Sequence, residues 1–165
     1  MGFNNFIIAI CLMGLTLTHI SLAQTSNEPK SYVWAHNIVR AAVGVSPLTY
    51  NASAAASALK SAISRSRTCE LYESDTFAYV YQILASGDEH FTIVNAVQSW
   101  AGGKPFYNHE KGTCFGGSCE EYMVLVTEAE KSVGCGISKC DNGNNIVVCE
   151  YSPRNVVNIP GRKPY

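Results

Sequence analysis

Ala35-His36-Asn37-Ile38-Val39-Arg40-Ala41-Ala42-Val43-Gly44-Val45-Ser46-Pro47-Leu48-Thr49-Tyr50-Asn51 is the stretch on which the reading of the chain turns. Its periodicity predicts a helix over residues 31–43, with Trp34, Ile38 and Ala41 on one stripe and Gly44 just past the end. Pro47 marks the loop that follows. Asn51 is a fair N-cap for a second helix over residues 51–67, where Ala52, Ala54, Ala55, Ala56, Ala58 and Ala62 give strong helix propensity. So many small side chains predict close packing against a neighbouring element. Asn51-Ala52-Ser53 is also an acceptor pattern for N-glycosylation, and helix capping explains the same asparagine equally well.

Upstream of this stretch, Phe6 to Leu17 is an apolar run of 12 residues, and the segment ends in Ser21-Leu22-Ala23. The run is too short for a transmembrane helix, which needs about 20 apolar residues. It predicts a secretory signal peptide over residues 1–23, followed by a frayed polar segment over residues 24–29. No second apolar run of spanning length follows, so the expectation is a secreted chain with no stable membrane anchor. The 12 Lys+Arg balance 13 Asp+Glu, and charged residues are only 15% against 47% apolar. That excludes a disordered charged chain and argues against nucleic-acid binding, which rests on clustered cations.

Cysteine arithmetic agrees with secretion. One of the seven cysteines, Cys11, lies in the signal; Cys69, Cys114, Cys119, Cys135, Cys140 and Cys149 remain. An even number in a secreted chain reads as three disulfides, with about 15 connectivities open to six cysteines. The equal spacings of Cys114 to Cys119 and of Cys135 to Cys140 mimic zinc knuckles. Those more often use two to four intervening residues and belong to reducing compartments.

Farther along, residues 69–90 carry five acids and no Lys or Arg, and residues 77–84 within them read as a strand or an ordered loop. Ile93, Val94, Val97 and Trp100 share one face of a helix over residues 91–100, which Gly102-Gly103 ends. Residues 104–118 form a loop rich in Gly and aromatics. Three strands are predicted over 121–127, 133–139 and 145–151, the last two joined by the turn Asp141-Asn142-Gly143-Asn144. A basic, proline-containing tail over residues 152–165 is expected to lie on the domain. Helices followed by a mostly antiparallel sheet make an α+β domain over residues 30–151, layered helix, sheet, helix.

Ala35-His36-Asn37, Arg40-Ala41, Val43-Gly44-Val45, Pro47-Leu48 and Tyr50-Asn51 resemble the opening helix of the CAP superfamily, in its plant pathogenesis-related 1 branch. Further landmarks follow in order: Cys69, Trp100, Phe106-Tyr107, Cys114 to Cys119 around Gly116-Gly117, Gly134-Cys135-Gly136, Cys149-Glu150-Tyr151-Ser152-Pro153 and Pro164-Tyr165. The resemblance covers nearly all of residues 30–165. It implies an α-β-α sandwich and the pairs Cys69–Cys140, Cys114–Cys119 and Cys135–Cys149.

The resemblance also implies a cleft where two His and two Glu converge, a set able to hold a divalent metal. At the four matching positions this chain has Glu73, Val80, Gly103 and Glu121, with Asp75 as the alternative match to the first. Glu73 and Glu121 could share Mg or Ca, or act as an acid/base pair. Alternatively Glu73, Asp75, Glu120 and Glu121 are solvated surface charges, the reading favoured by the missing imidazoles. His36 reads as a packed helix histidine, and His90 and His109 make no Ser/His/Asp set. No cofactor and no catalytic residue are expected.

The expected function is therefore that of a secreted, apoplastic, monomeric and non-enzymatic defence-related protein. Sterol or another lipid is the candidate ligand, with Phe77, Tyr79, Tyr81, Phe106, Tyr107 and Phe115 as candidate groove walls; the alternative reading makes the same aromatics core or loop anchors. A further alternative is a precursor of a C-terminal signalling peptide cut before Pro153, or a module that meets a protein partner or receptor through the tail.

Overall fold

The computed structural model describes residues 26–71, 82–153 and 163–165. The expected signal peptide and most of the tail lie outside the described residues. So do Glu73, Asp75, Phe77, Tyr79, Val80 and Tyr81. Among the described residues, no helix is long and apolar enough to cross a membrane.

Helix α1 (Pro29–Ala41) opens with Pro in its first turn, where a missing N–H costs nothing. After strand β1 (Thr49–Tyr50), helix α2 (Ala52–Ser64) begins at Asn51, whose Oδ1 accepts from Ala54 N at 3.0 Å. Strand β2 (Gln82–Gly87) precedes helix α3 (Ile93–Ala101). Thr92 and Asn95 cap α3 reciprocally, each satisfying an orphan N–H of the first turn. A short 3-10 turn (Lys104–Phe106) leads into the small hairpin β3 (Tyr107–Asn108) and β4 (Thr113–Cys114). Helix α4 (Glu120–Leu125) and the hairpin β5 (Ser132–Lys139) and β6 (Asn145–Ser152) complete the domain.

The main sheet runs β1-β5-β6-β2. Its β5–β6 and β6–β2 pairs are antiparallel, but β1 runs parallel to β5, so the sheet is mixed. The extra pair arises because the loop after α1 folds back: Asn51 N donates to Val133 O and Thr49 N to Lys131 O. Along β6 the side chains alternate between faces. Val147, Cys149 and Tyr151 join the larger core with Tyr32, Ala35, Ile93, Trp100 and Tyr122. Ile146 and Val148 face Ala58 and Ala62 of α2. The three layers are thus α2, the sheet, and α1 with α3 and α4.

The layer between α2 and β5 is closed by missing side chains. A Cβ on Gly134 would lie 2.0 Å from Ala55 N, and one on Gly136 would lie 2.3 Å from Leu59 Cα. The small residues of α2 therefore meet two glycines of β5 backbone to backbone. Disulfides Cys69–Cys140, Cys114–Cys119 and Cys135–Cys149 fasten the edges. The first spans 71 residues of sequence, a closure for which the chain-entropy model gives about 4 kcal/mol.

Two expectations are corrected. Residues 121–127 are not a strand; Glu120–Leu125 is a helix. Its run Tyr122-Met123-Val124-Leu125-Val126 is buried throughout, and an apolar run buried on every side carries no periodicity to separate helix from strand. The stripe Trp34, Ile38 and Ala41 is not the buried face of α1. Trp34 is 66% exposed and Ile38 53%, while Tyr32, Ala35, His36 and Arg40 point inward.

The reason lies in the polar members of that inner face. Arg40 is fully buried, and its guanidinium donates to four carbonyls: Ser46 O (2.8 Å), Leu125 O (2.9 Å), Thr127 O (3.0 Å) and Glu130 O (3.1 Å). His36 Nδ1–H donates to Tyr32 O at 2.7 Å, which leaves Nε2 to accept the Tyr151 hydroxyl at 2.8 Å. Burial, with Arg40 one turn away, lowers the His36 pKa to about 4.

Candidate functional site

The end of α3, the edge strand β2 and the start of α4 line an open cavity of about 510 Å3. Trp100 forms one wall and is fixed by its indole N–H, which donates to Leu84 O at 3.0 Å. Leu84, Ala85 and Ser86 line the strand side, Leu71 and Phe106 the mouth, and Ser118 with Glu121 the opposite wall.

Ser86, Ser99, Ser118 and Glu121 make the lining partly polar. Ser118 Oγ lies 2.7 Å from Glu120 Oε2 and 3.3 Å from Glu121 Oε2, and Cys119 N donates to Glu120 Oε2 at 2.9 Å. The Ser118 hydroxyl and then the backbone N–H groups hold the Glu120 carboxyl below the usual carboxylate range. Gly103 adds no ligand atom here, and a Cβ at this position would sit 3.1 Å from both Cys119 Cα and Tyr122 Cβ. The end of α3 and the start of α4 thus meet where a side chain at 103 would have to stand.

Of the four positions matched to the metal-binding set, Gly103 and Glu121 line the cavity, while Glu73 and Val80 lie outside the described residues. Of the candidate groove aromatics, Phe106 lines the cavity. Tyr107 does not. It turns inward to pack on Tyr122, with ring centroids 5.9 Å apart. Phe115 sits at the tip of the Cys114–Cys119 loop, 57% exposed and away from the cavity wall. Phe77, Tyr79 and Tyr81 lie outside the described residues.

His36, Cys135 and Cys149 form a close group of ligating side chains. Both sulfurs are committed to a disulfide, and both imidazole nitrogens to hydrogen bonds. The group therefore supports the core and offers a metal nothing. Asn51 is likewise committed to the fold: its Nδ2 donates to Ser132 Oγ at 3.1 Å, a bond with which a glycan on that nitrogen would compete. Sequence reasoning missed the polar cluster at Glu150, a buried carboxylate on the α2 face that accepts from Ser57 Oγ at 2.8 Å and from Gln82 Nε2. The alternation along β6 was the available signal, since it assigns residue 150 to the same face as Ile146 and Val148.

Comparison with known proteins bears on this geometry. The family model of the cysteine-rich secretory protein family, CAP, matches residues 33–151. Pathogenesis-related leaf protein 6 of Solanum lycopersicum is 37% identical over 164 residues, covering 99% of this chain and 98% of the relative. A pathogenesis-related protein of PR-1 type from Sambucus nigra is 35% identical, over 98% of this chain and 96% of its own length. Among solved structures, the venom allergen-like protein 4 of Schistosoma mansoni superposes with a TM-score of 0.64 at 25% identity, covering 82% of this chain and 94% of that one.

Proposed function

The chain belongs to the CAP family and is akin to plant pathogenesis-related 1 proteins, and from that premise we propose that it is a secreted, non-enzymatic defence protein whose cleft takes a sterol or another lipid. The observation that carries this reading is the cavity itself. Its volume suits a small-molecule ligand, and among the described residues its walls join Trp100, Leu84, Ala85, Leu71 and Phe106 to the hydroxyls of Ser86, Ser99 and Ser118 and the single carboxylate of Glu121. An apolar body against those walls, with a hydroxyl head that donates to the Glu121 carboxylate, matches the lining chemistry. Among the described residues a divalent metal matches the lining poorly, because one carboxylate and three serine hydroxyls fall short of the six or more oxygen ligands that Ca demands. Among the described residues the lining holds no imidazole, which favours a binding over a hydrolytic role.

The test uses the position of Trp100 in the cavity wall. Trp34→Phe removes the other, exposed tryptophan, so that energy transfer to a fluorescent sterol or fatty acid reports on the cleft. Saturable transfer is expected, weakened at least ~10-fold by Ser86→Phe, which fills the cleft from β2 without adding a second tryptophan donor; a tenfold loss corresponds to about 1.4 kcal/mol. No saturable transfer from either ligand class, or binding indifferent to Ser86→Phe, defeats the proposal.

A further inference from the structure

The residues at the far end of the tail have a socket of their own, apart from the cleft. Pro164 is buried, and its carbonyl accepts from Glu128 N at 2.8 Å. His109 Nε2–H donates to the main-chain oxygen of Tyr165 at 3.0 Å, and the imidazole lies over the Tyr165 ring with centroids 4.7 Å apart. The same ring packs on Tyr107, 6.0 Å between centroids, and its hydroxyl lies 3.5 Å from that of Tyr122. Main chain and side chain of one dipeptide are thus both read. Proline brings no N–H to satisfy, and tyrosine offers a large contact area for few rotatable bonds.

The socket is rigid for a covalent reason. Tyr107 pairs directly with Cys114 across the β3–β4 hairpin, and Tyr122 stands in the first turn of α4, which Cys119 opens. The Cys114–Cys119 disulfide therefore ties the element that carries Tyr107 and His109 to the element that carries Tyr122. The Tyr107 hydroxyl is buried and has no hydrogen-bond partner among the described residues, so the socket holds a polar group still open to a ligand atom or a water.

We propose that Tyr107, His109, Tyr122 and the backbone N–H of Glu128 form a binding site for a Pro-Tyr peptide segment, filled in cis by Pro164-Tyr165. The connecting segment is then anchored at both ends, by β6 and by the socket. No cysteine follows Cys149, so no disulfide links the tail to the domain. If the socket is the anchor, a fragment made by a single backbone cut between residues 154 and 162 stays bound through it. Cutting and release are separate events, and a free peptide that ends in Pro-Tyr competes for the same place. The inference does not rest on lipid binding in the cleft.

The experiment places a recognition sequence for a specific protease within residues 154–162 of the secreted chain, cuts it completely, and passes the product through a native sizing column. The tail fragment is expected to co-elute with the domain and to be displaced by an excess of synthetic Lys-Pro-Tyr peptide. Tyr165→Ala is expected to weaken retention at least ~10-fold, and His109→Ala, on the surface, to weaken it without unfolding the domain. Tyr165→Phe should change it less than ~3-fold, because a 3.5 Å hydroxyl contact is a weak one. A fragment lost from the unmodified socket overturns the proposal. So does a fragment held equally well after Tyr165→Ala, which would put retention elsewhere in the tail.

Discussion

Acidification should weaken this fold through a buried histidine, His36. The imidazole is fully buried, donates Nδ1–H to Tyr32 O and accepts the Tyr151 hydroxyl. Protonation would place a second donor against that hydroxyl, beside the Arg40 guanidinium and the Cys135–Cys149 sulfurs. The native pKa is accordingly lowered from 6.5 to about 4. Above the unfolded value both states are neutral, and the full stability is present. As pH falls below it the unfolded chain takes up a proton that the native chain refuses, so stability drops until the native value is passed. At about 1.4 kcal/mol per pKa unit the whole effect is about 3 kcal/mol, of which roughly 2.5 kcal/mol is gone by about pH 4.5. His36→Gln keeps a donor for Tyr32 O and an acceptor for Tyr151 but does not titrate. Urea unfolding of both proteins between about pH 7.5 and 4.5 should find the variant less stable at neutral pH, with the gap closing by about 2.5 kcal/mol on acidification. The carboxyls of Glu120 and Glu128, held low by their hydrogen bonds, lose stability with acid in both proteins and cancel in the difference. Parallel pH curves for the two proteins would refute the reasoning.

Two further outcomes follow from backbone contact and from ligand chemistry. Gly136→Ala brings a Cβ to 2.3 Å from Leu59 Cα, and because the obstacle is helix backbone the loss should reach the upper part of the ~1–3 kcal/mol range for overpacking, read as a lower urea midpoint. Calorimetric titration of the secreted chain with zinc, magnesium and calcium should give no micromolar binding, since Gly103 carries no donor atom and Glu121 stands where an imidazole is expected; a one-to-one zinc isotherm abolished by Glu121→Ala would reverse that view of the cleft.

Much of the architecture was legible because local rules and tertiary context agree. Asn51 caps α2, and the turn at Asp141-Asn142-Gly143-Asn144 joins β5 to β6, with Gly143 at φ 89° where a side chain would be strained. The alanines of α2 announced close packing, and Gly134 and Gly136 are where it occurs. The helix α4 was not legible, since its buried run has no polar face to set a period. Nor was the parallel strand β1, whose two residues are exposed and held by backbone bonds and the Thr49 hydroxyl. In the cleft, family resemblance led to Gly103, Glu121 and Phe106, but the wall made by Leu71, Leu84 and Trp100 depends on contacts among three separate segments. The socket for Tyr165 escaped for the same reason: its partners at 107, 109, 122 and 128 share no motif.

The orientation of α1 shows which force prevailed where two rules conflict. Turning the helix to bury Trp34 and Ile38 would gain about 2–3 kcal/mol for each side chain. It would also withdraw Arg40 from Ser46 O, Leu125 O, Thr127 O and Glu130 O, and His36 from Tyr151. A buried carbonyl or hydroxyl left unpaired costs about 1–3 kcal/mol, and a buried guanidinium more. Leu125 O, the Tyr151 hydroxyl and above all a buried cation outweigh two exposed apolar side chains. Arg40 can hold all four carbonyls because its planar fork presents five donors in fixed directions, and one of them, Leu125 O, ends α4, where the helix leaves it without a partner of its own. The apolar stripe on α1 is therefore the face that remains once the polar one has been placed, and hydrophobic periodicity read alone selects the wrong side.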